Sequence, residues 1–415
     1  MHKTMKKVLM IAYHFPPIGG SGMQRTVKFV KYLPGFGWEP VVLSVKKGTH
    51  YELIDSSLMN EIPQSVKIYR TTWFNPLGLI TIPNKKIGWL PCAFFKGINV
   101  LRREKISVIY STSPTVTAHL IAYLLKKATK LPWVADFRDP WIGNPACSED
   151  VGFRKRIEIF LERKVVTNAD RIIANTELFR ADFMRRYPDV DESKFITITN
   201  GYDPEDFEKV ETVKESRKNG KFVLTHTGEF YDKIRNPENF LKAVGAMVNE
   251  GQIEKKNLVI NFIGSGEYTG MERYKALLGK HSLQDIVNDV PHLPHKESIK
   301  SLLSSNVLLL FNFTNGSLQV PAKTYEYINA GKPILTISEE GATTRLLREE
   351  HIGAIVSPND VHAIKGAILK LYMDFKNGKK LDGAAEQLKQ KFNRKLLTQR
   401  LAGVFDGLCN VETGN

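Results

Sequence analysis

The run Gln319-Val320-Pro321-Ala322-Lys323-Thr324-Tyr325-Glu326-Tyr327-Ile328-Asn329-Ala330-Gly331 holds the residues best spaced to handle an anion. Pro321 suits the first position of a helix, and a helix amino end leaves unpaired N–H groups that bind phosphate. Glu326, about one turn in, is placed to accept hydrogen bonds from ribose hydroxyls while the Lys323 ammonium neutralises diphosphate charge. The combination suits a nucleotide sugar. The same residues also fit an ordinary helix, with Glu326 complementing the dipole, Lys323 solvated and Gly331 as a C-cap, so other segments have to decide.

Four further segments concentrate unusual residues. In His14-Phe15-Pro16-Pro17-Ile18-Gly19-Gly20-Ser21-Gly22 the glycines let backbone approach a ligand ahead of a helix amino end. The spacing is not G-x-G-x-x-G, and a merely flexible loop fits it equally. Asp136-Phe137-Arg138-Asp139-Pro140-Trp141 gathers two carboxylates and a guanidinium that are costly to bury unless paired, which points to a site; the alternative is an Arg138–Asp139 pair that fixes a turn. After Thr225-His226-Thr227-Gly228-Glu229, Arg235 can meet a diphosphate bidentately, whereas Lys233 reads as solvated. Gly264-Ser265-Gly266 puts small residues where a base or ribose can lie against backbone. The ten histidines are scattered, and no Asp-x-Asp triplet follows a strand candidate, so no metal site is expected. The lack of a G-x-S-x-G elbow and of a Walker lysine loop argues against a serine hydrolase and a P-loop kinase.

These segments all fall where an apolar run ends and a helical pattern begins. Strand candidates in the first half are Val8–Tyr13, Pro40–Val45, Ser65–Arg70, Val108–Tyr110, Trp133–Phe137, Arg171–Ala174 and Phe195–Ile198, with helices near Met23–Pro34, Val116–Thr129, Phe153–Asn168 and Glu177–Arg186. In Phe153–Asn168 the three- and four-residue recurrence of Phe153, Ile157, Phe160, Leu161 and Val165 predicts one buried stripe. After a charged passage from Glu205 to Lys221 the pattern restarts, with strands at Phe222–Thr225, Leu258–Ile263, Ile286–Val290, Val307–Phe311 and Pro333–Ile337. Helices are expected there over Pro237–Glu250, Glu267–Leu278, Lys296–Leu303, Ala322–Asn329 and Val361–Asp374. Alternation of this kind predicts an α/β protein of two doubly wound, Rossmann-like domains facing a cleft, with ligands outside the carboxyl ends of the strands. The expected division is 1–205, 206–385 and a C-terminal helical segment 386–415 that packs back on the first domain.

A chain of 415 residues exceeds what one core usually serves. Its net charge of +15 favours anionic partners, and with no RNP-like string, zinc-finger spacing or dense basic tract, nucleic acid is not expected. Cys92, Cys147 and Cys409 are far apart and read as reduced residues of a cytosolic protein. The apolar segment Val8–Tyr13 is too short for a signal peptide, and no apolar run reaches the roughly 20 residues a membrane span needs. Lys85-Lys86-Ile87-Gly88-Trp89-Leu90-Pro91-Cys92-Ala93-Phe94-Phe95-Lys96 with Arg102 and Arg103 mixes aromatic and basic residues as segments at the inner face of the plasma membrane do, and equally fits a core helix with a solvated rim.

In this order the residues match a known family. Pro16 to Gly22, Gly37-Trp38-Glu39-Pro40-Val41-Val42-Leu43, Tyr110-Ser111-Thr112-Ser113-Pro114 with His119, Pro132 to Trp141, Ala169-Asp170-Arg171-Ile172-Ile173-Ala174-Asn175, Thr199-Asn200-Gly201-Tyr202-Asp203 with Phe207, Gly228, Gly264 to Gly266 and the Glu326 segment are similar to the corresponding motifs. The chain resembles the retaining nucleotide-sugar glycosyltransferases of family 4, which have the two-domain GT-B architecture, and among them members that build bacterial surface polysaccharides.

The resemblance implies transfer of a hexosyl or N-acetylhexosaminyl group, with retention and without a divalent metal or other cofactor, from a nucleotide donor with uridine as the expected base. The acceptor would be a glycan or lipid-linked molecule. By position, Glu326 would bind ribose, Arg235 and Lys323 the diphosphate, with Val320 and Gly228 beside them, and Gly264, Gly266 and backbone near His292 the base. Gly19, Gly20, Ser21 and Gly22 would approach the diphosphate from the first domain, and Asp139 and Arg138 would take the catalytic-side contacts to acceptor or sugar, with His119 and Asp136 as further contacts. Three departures stand out: Leu318 replaces the first of the family's paired glutamates, Glu229 stands where many members have arginine, and Arg138-Asp139 stands where many have histidine. A nucleotide-sugar 2-epimerase and a catalytically degenerate binding protein on the same fold are the alternatives.

Overall fold

The computed structural model describes residues 5–18, 23–46, 57–74, 82–143, 152–208, 210, 220–231, 235–314, 316–381 and 383–410. Gly19, Gly20, Ser21, Gly22, Cys147 and Lys233 lie outside the described residues. The chain divides into two compact units, one of Met1–Gly201 with Arg394–Asn415 and one of Tyr202–Asn393.

In chain order the first unit holds β1 (Lys6–Ile11), α1 (Gln24–Tyr32), β2 (Trp38–Val45), β3 (Lys67–Thr71), α2 (Leu90–Glu104), β4 (Val108–Thr112), α3 (Thr117–Thr129), β5 (Trp133–Phe137), α4 (Phe153–Asn168), β6 (Arg171–Ala174), α5 (Glu177–Arg186) and β7 (Phe195–Thr197). The second holds α6 (Pro204–Glu208), β8 (Phe222–Thr227), α7 (Glu238–Asn249), β9 (Leu258–Ile263), α8 (Glu272–Lys280), β10 (Val287–Val290), α9 (His295–Ser304), β11 (Val307–Asn312), α10 (Ala322–Ala330), β12 (Ile334–Ser338), α11 (Ala342–Glu349), β13 (Ala354–Val356), α12 (Val361–Lys376) and α13 (Glu386–Lys391). α14 (Arg394–Asn410) returns to the first unit.

Both sheets are parallel, with strand orders β3-β2-β1-β4-β5-β6-β7 and β10-β9-β8-β11-β12-β13. Strands covered on both faces need apolar runs, and Val8–Ile11 of β1 and Val307–Phe311 of β11 are such runs. In each sheet the order reverses once, between β1 and β4 and between β8 and β11. The loops leaving those strands turn to opposite faces, which opens a crevice at the carboxyl edge. In the second unit Phe230 meets Phe262 at 5.0 Å and Phe311 at 5.6 Å edge to face and so ties the loop after β8 to its neighbours.

The tail expected to pack on the first domain does so only from Arg394; Glu386–Lys391 stays with the second unit. α14 buries Leu397, Leu401, Ala402 and Phe405, and the Phe405 ring lies 5.2 Å from Trp38 and 6.1 Å from Tyr110. β13, only three residues and half-buried, was too short to register as a period, and α11 lies beyond the predicted elements altogether.

The stripe expected on α4 is not the one the helix buries. Phe153 is 77% exposed and Phe160 56%, while the inward face carries Glu162, Val165 and Val166. Glu162 is fully buried because Ile142 N–H at 3.1 Å, Tyr187 O–H at 2.6 Å and the Arg186 guanidinium all donate to it. A satisfied carboxylate therefore sets the helix rotation, and the two phenylalanines turn outward.

Candidate functional site

The loop after β8 begins with Gly228 at φ +99°, a conformation that favours glycine. Gly228 N–H donates to Ile263 O at 2.7 Å, and Phe230 N–H donates to Ser265 O at 3.1 Å, so the loops after β8 and β9 are joined. α10 arrives from the other side of the crevice with Pro321 at its N-cap position and no side-chain cap, which leaves its first N–H groups facing outward. From its first turn Lys323 reaches back across β8: its ammonium donates to Thr227 O, and Nζ lies 3.5 Å from His226 Nε2.

His226 itself is fully buried, stacked on Phe230 at 4.7 Å, and its Nδ1–H donates to Leu309 O at 2.8 Å. That bond fixes the tautomer, so the Nε2 lone pair faces the ammonium. Burial, then the Lys323 charge, holds the imidazole well below its usual range and keeps it neutral. Tyr327, one turn on from Lys323, accepts from Thr227 N–H at 2.9 Å and anchors α10 to β8.

Burial first and the Arg235 guanidinium second push the Lys323 ammonium well below the ordinary lysine range, while Glu326 and Glu229 pull it back. Arg235, held by paired backbone hydrogen bonds with Tyr231, is lowered by burial, and its Nε has no hydrogen-bond partner. Two cations, one carrying an orphaned donor, thus converge beside an uncapped helix end. Such an arrangement recognises a doubly charged phosphate.

Glu326 accepts from His295 Nε2 at 3.0 Å, an exposed residue at the start of α9. Gly264 lies close to the following strand's exit, where an added β-carbon would stand 3.7 Å from His292 Cα, and one at Gly266 would stand 3.3 Å from Glu229 Cγ. Val320 is buried immediately before α10. The predicted donor residues Gly228, Arg235, Gly264, Gly266, His292, Val320, Lys323 and Glu326 therefore all belong to the loops and helix at one sheet edge.

Two models of known families match the sequence: Glycosyltransferase Family 4 over residues 21–206, and Glycosyl transferases group 1 over residues 208–388. The chain belongs to glycosyltransferase family 4. Among solved structures this glycosyltransferase is similar to sucrose-phosphate synthase from Thermosynechococcus elongatus, with TM-score 0.70 and 16% identity over 98% of this chain and 100% of that one. HepE of Anabaena in complex with UDP gives TM-score 0.71 and 14% identity over 97% and 100%. WaaG, a glycosyltransferase involved in lipopolysaccharide biosynthesis, gives 0.58 and 12% over 98% and 100%. At these identities the likeness shows the GT-B fold of two Rossmann domains. No curated protein matches the sequence.

In the first unit of this family 4 chain, Asp136 and His119 are both enclosed. Asp136 is fully buried at the end of β5, where Arg25 Nε and Nη2 both donate to it at 2.9 Å, Thr112 at 3.2 Å, and Tyr110 as well. Arg25 also donates to Ile198 O at 2.8 Å and Thr199 O at 2.6 Å, so the pair ties α1 to the chain after β7. His119 is equally enclosed, its Nδ1 2.8 Å from Ser111 Oγ and its ring 4.4 Å from Phe137, and burial lowers its pKa to about 3. Arg138 and Asp139 stay half-buried at the strand's exit, 3.6 Å apart.

The sequence reading quoted His226 and Tyr327 without giving them a task, took Lys86 only as part of a basic and aromatic segment, and did not name His295. The available signal was a polar His226 between Thr225 and Thr227 at the end of a strand that starts apolar, which has to be hydrogen-bonded to be buried.

Proposed function

We propose that this glycosyltransferase moves a hexosyl or N-acetylhexosaminyl group from a UDP-linked donor, with retention at the anomeric carbon and without a divalent metal, to a glycan or lipid-linked acceptor of a cell-surface polysaccharide. The observation that carries the reading is the convergence of Lys323, Arg235 and the amino end of α10 at Gly228. There the diphosphate would receive from two cations the charge a divalent ion supplies elsewhere. HepE is a UDP complex and WaaG serves lipopolysaccharide biosynthesis, which is in keeping with the base and the pathway proposed.

In the proposed step the anomeric C–O bond to the diphosphate breaks as the acceptor hydroxyl forms its bond from the same face, and the hydroxyl proton passes to the departing phosphate. The protein's share is positioning and charge: Lys323, Arg235 and the α10 N–H groups stabilise the leaving diphosphate, and Glu326 orients the ribose after exchanging its bond to His295. Asp139 and Arg138 serve the acceptor side.

A cytosolic protein touching the membrane's inner face fits α2, which buries one stripe yet leaves Phe95 70% exposed beside Arg102 and Arg103. Among the described residues no helix is long and apolar enough to cross a membrane.

The test is a thermal-shift panel of nucleotide sugars with Glu326→Ala as control. A ligand at a hundredfold excess over its Kd adds about 2.7 kcal/mol to the native state. The parent should rise with UDP-sugars and the variant much less; an equal response in both rejects the ribose role. Product analysis with and without an acceptor separates transfer from epimerisation.

A further inference from the structure

The first unit carries a second basic cluster, of which the reading above uses Arg138 alone. His14 leaves β1, Arg138 leaves β5, and Lys86 sits in a short 3-10 turn, Lys85–Trp89, ahead of α2. The turn is fixed by Asn84, whose side chain accepts from Lys86 N–H at 2.9 Å, and by Trp89, buried edge-on to Tyr13 at 5.3 Å with its Nε1–H on Thr71 at 2.7 Å. Lys86 Nζ lies 2.7 Å from His14 Nε2 and 4.7 Å above the Tyr13 ring. The imidazole is neutral, held at about 3 by burial and by the nearby Lys86 and Arg138 charges. It thus accepts from Lys86 through Nε2 and keeps a hydrogen on Nδ1.

At the adjoining strand exits three buried polar atoms have no partner: Arg138 Nη1, Ser113 Oγ after β4 and Asn175 Oδ1 after β6. Asn175 Nδ2 donates to Arg138 O, and Ser113 N–H donates to Asp136 O at 3.1 Å, so these residues belong to adjoining strand exits. Arg138 has Asp139 3.6 Å from Nη2, yet its buried Nη1 donor has no partner, which is costly. An oxyanion relieves that cost: a carboxylate or phosphate oxygen can accept from Arg138 Nη1, with the Lys86 ammonium as a second positive charge nearby.

We propose that Arg138, Lys86 and His14 form an anion subsite that takes a carboxylate or phosphate group carried by one of the two substrates, either a sugar acid being transferred or a phosphorylated acceptor. Calling the ligand a substrate rests on the transferase reading above; the anion site itself does not.

Calorimetric titration decides it. With UDP saturating, so that the second unit's phosphate site is filled, the whole protein is titrated with inorganic phosphate, with methyl glucuronoside and with neutral methyl glucoside. One of the two anions should bind, and Arg138→Gln should weaken it at least tenfold while still binding UDP. Phosphate preference assigns the acceptor, and glucuronoside preference assigns the sugar. Should Arg138→Gln not fold, Lys86→Gln is read in its place. If UDP does not bind, the donor reading falls, and the same titration in a Lys323→Gln, Arg235→Gln background still decides the subsite. Anion binding that is absent from the parent, or no weaker in the variant, overturns the proposal.

Discussion

The Lys323 ammonium fills the space that a side chain at Gly228 would need: a β-carbon there would stand 2.7 Å from Nζ. Gly228→Ala is therefore expected to do two separable things. The left-handed backbone at φ +99° costs a non-glycine residue about 1–2 kcal/mol, read as a lower melting temperature. Displacing Lys323 should raise the KM for the donor about tenfold or more, and a variant with unchanged KM would show that the lysine does not serve from its observed position.

Diphosphate binding should take up a proton. Lys323 is depressed in the free protein, and a bound dianion raises it, so between the two values the complex holds a proton that the free protein lacks. Affinity then weakens as pH climbs through that window. Titration of UDP in two buffers of different ionisation enthalpy at rising pH measures the uptake; buffer-independent heats throughout would count against a depressed Lys323.

Removing one partner of the Arg25–Asp136 pair should cost about 3–5 kcal/mol, because the survivor is a buried charge without compensation. Urea unfolding of Asp136→Asn and Arg25→Met measures it. A loss below about 1 kcal/mol would mean that water reaches the pair. Neither substitution should alter UDP binding by the part of the protein that stays folded.

Acid should destabilise the fold through its enclosed imidazoles. His119 is held at about 3 by burial against an ordinary 6.5. Its contribution is complete above pH 6.5 and is lost as pH falls toward 3, since the unfolded chain binds the proton first. At pH 5 this group accounts for about 2 kcal/mol. His119→Phe keeps a ring against Phe137 and should flatten the slope of urea midpoint against pH by that amount, leaving the parts due to His14 and His226, which are displaced in the same direction.

Phe153→Ser and Phe160→Ser should change stability by less than about 0.5 kcal/mol, as surface substitutions do, whereas Val165→Ala should cost about 2 kcal/mol. Chemical denaturation separates the two rotations of α4. On α2, neutralising Arg102 and Arg103 should lower co-sedimentation with anionic liposomes, and unchanged sedimentation would remove the membrane proposal.

What the residues determined alone was period and punctuation. Trp133–Phe137, Arg171–Ala174 and Leu258–Ile263 were legible to the residue because buried parallel strands are predominantly apolar, each of these with a single polar residue (Asp136, Arg171, Asn261), and Pro321 and Gly331 bracketed α10 through backbone preferences local to each residue. The donor residues could be placed for the same reason, since parallel strands send the loop after each one to the same edge. Tertiary structure decided which polar groups face one another. Asp136 and Arg138 stand two positions apart, yet one is consumed by Arg25, 111 residues earlier in the chain, and the other keeps an unpartnered donor beside His14. Glu162 displaced two phenylalanines from a core face on the strength of partners at Ile142, Arg186 and Tyr187. A hydrophobic period has no term for a buried charge, whose partners come from whichever strands the fold sets beside it.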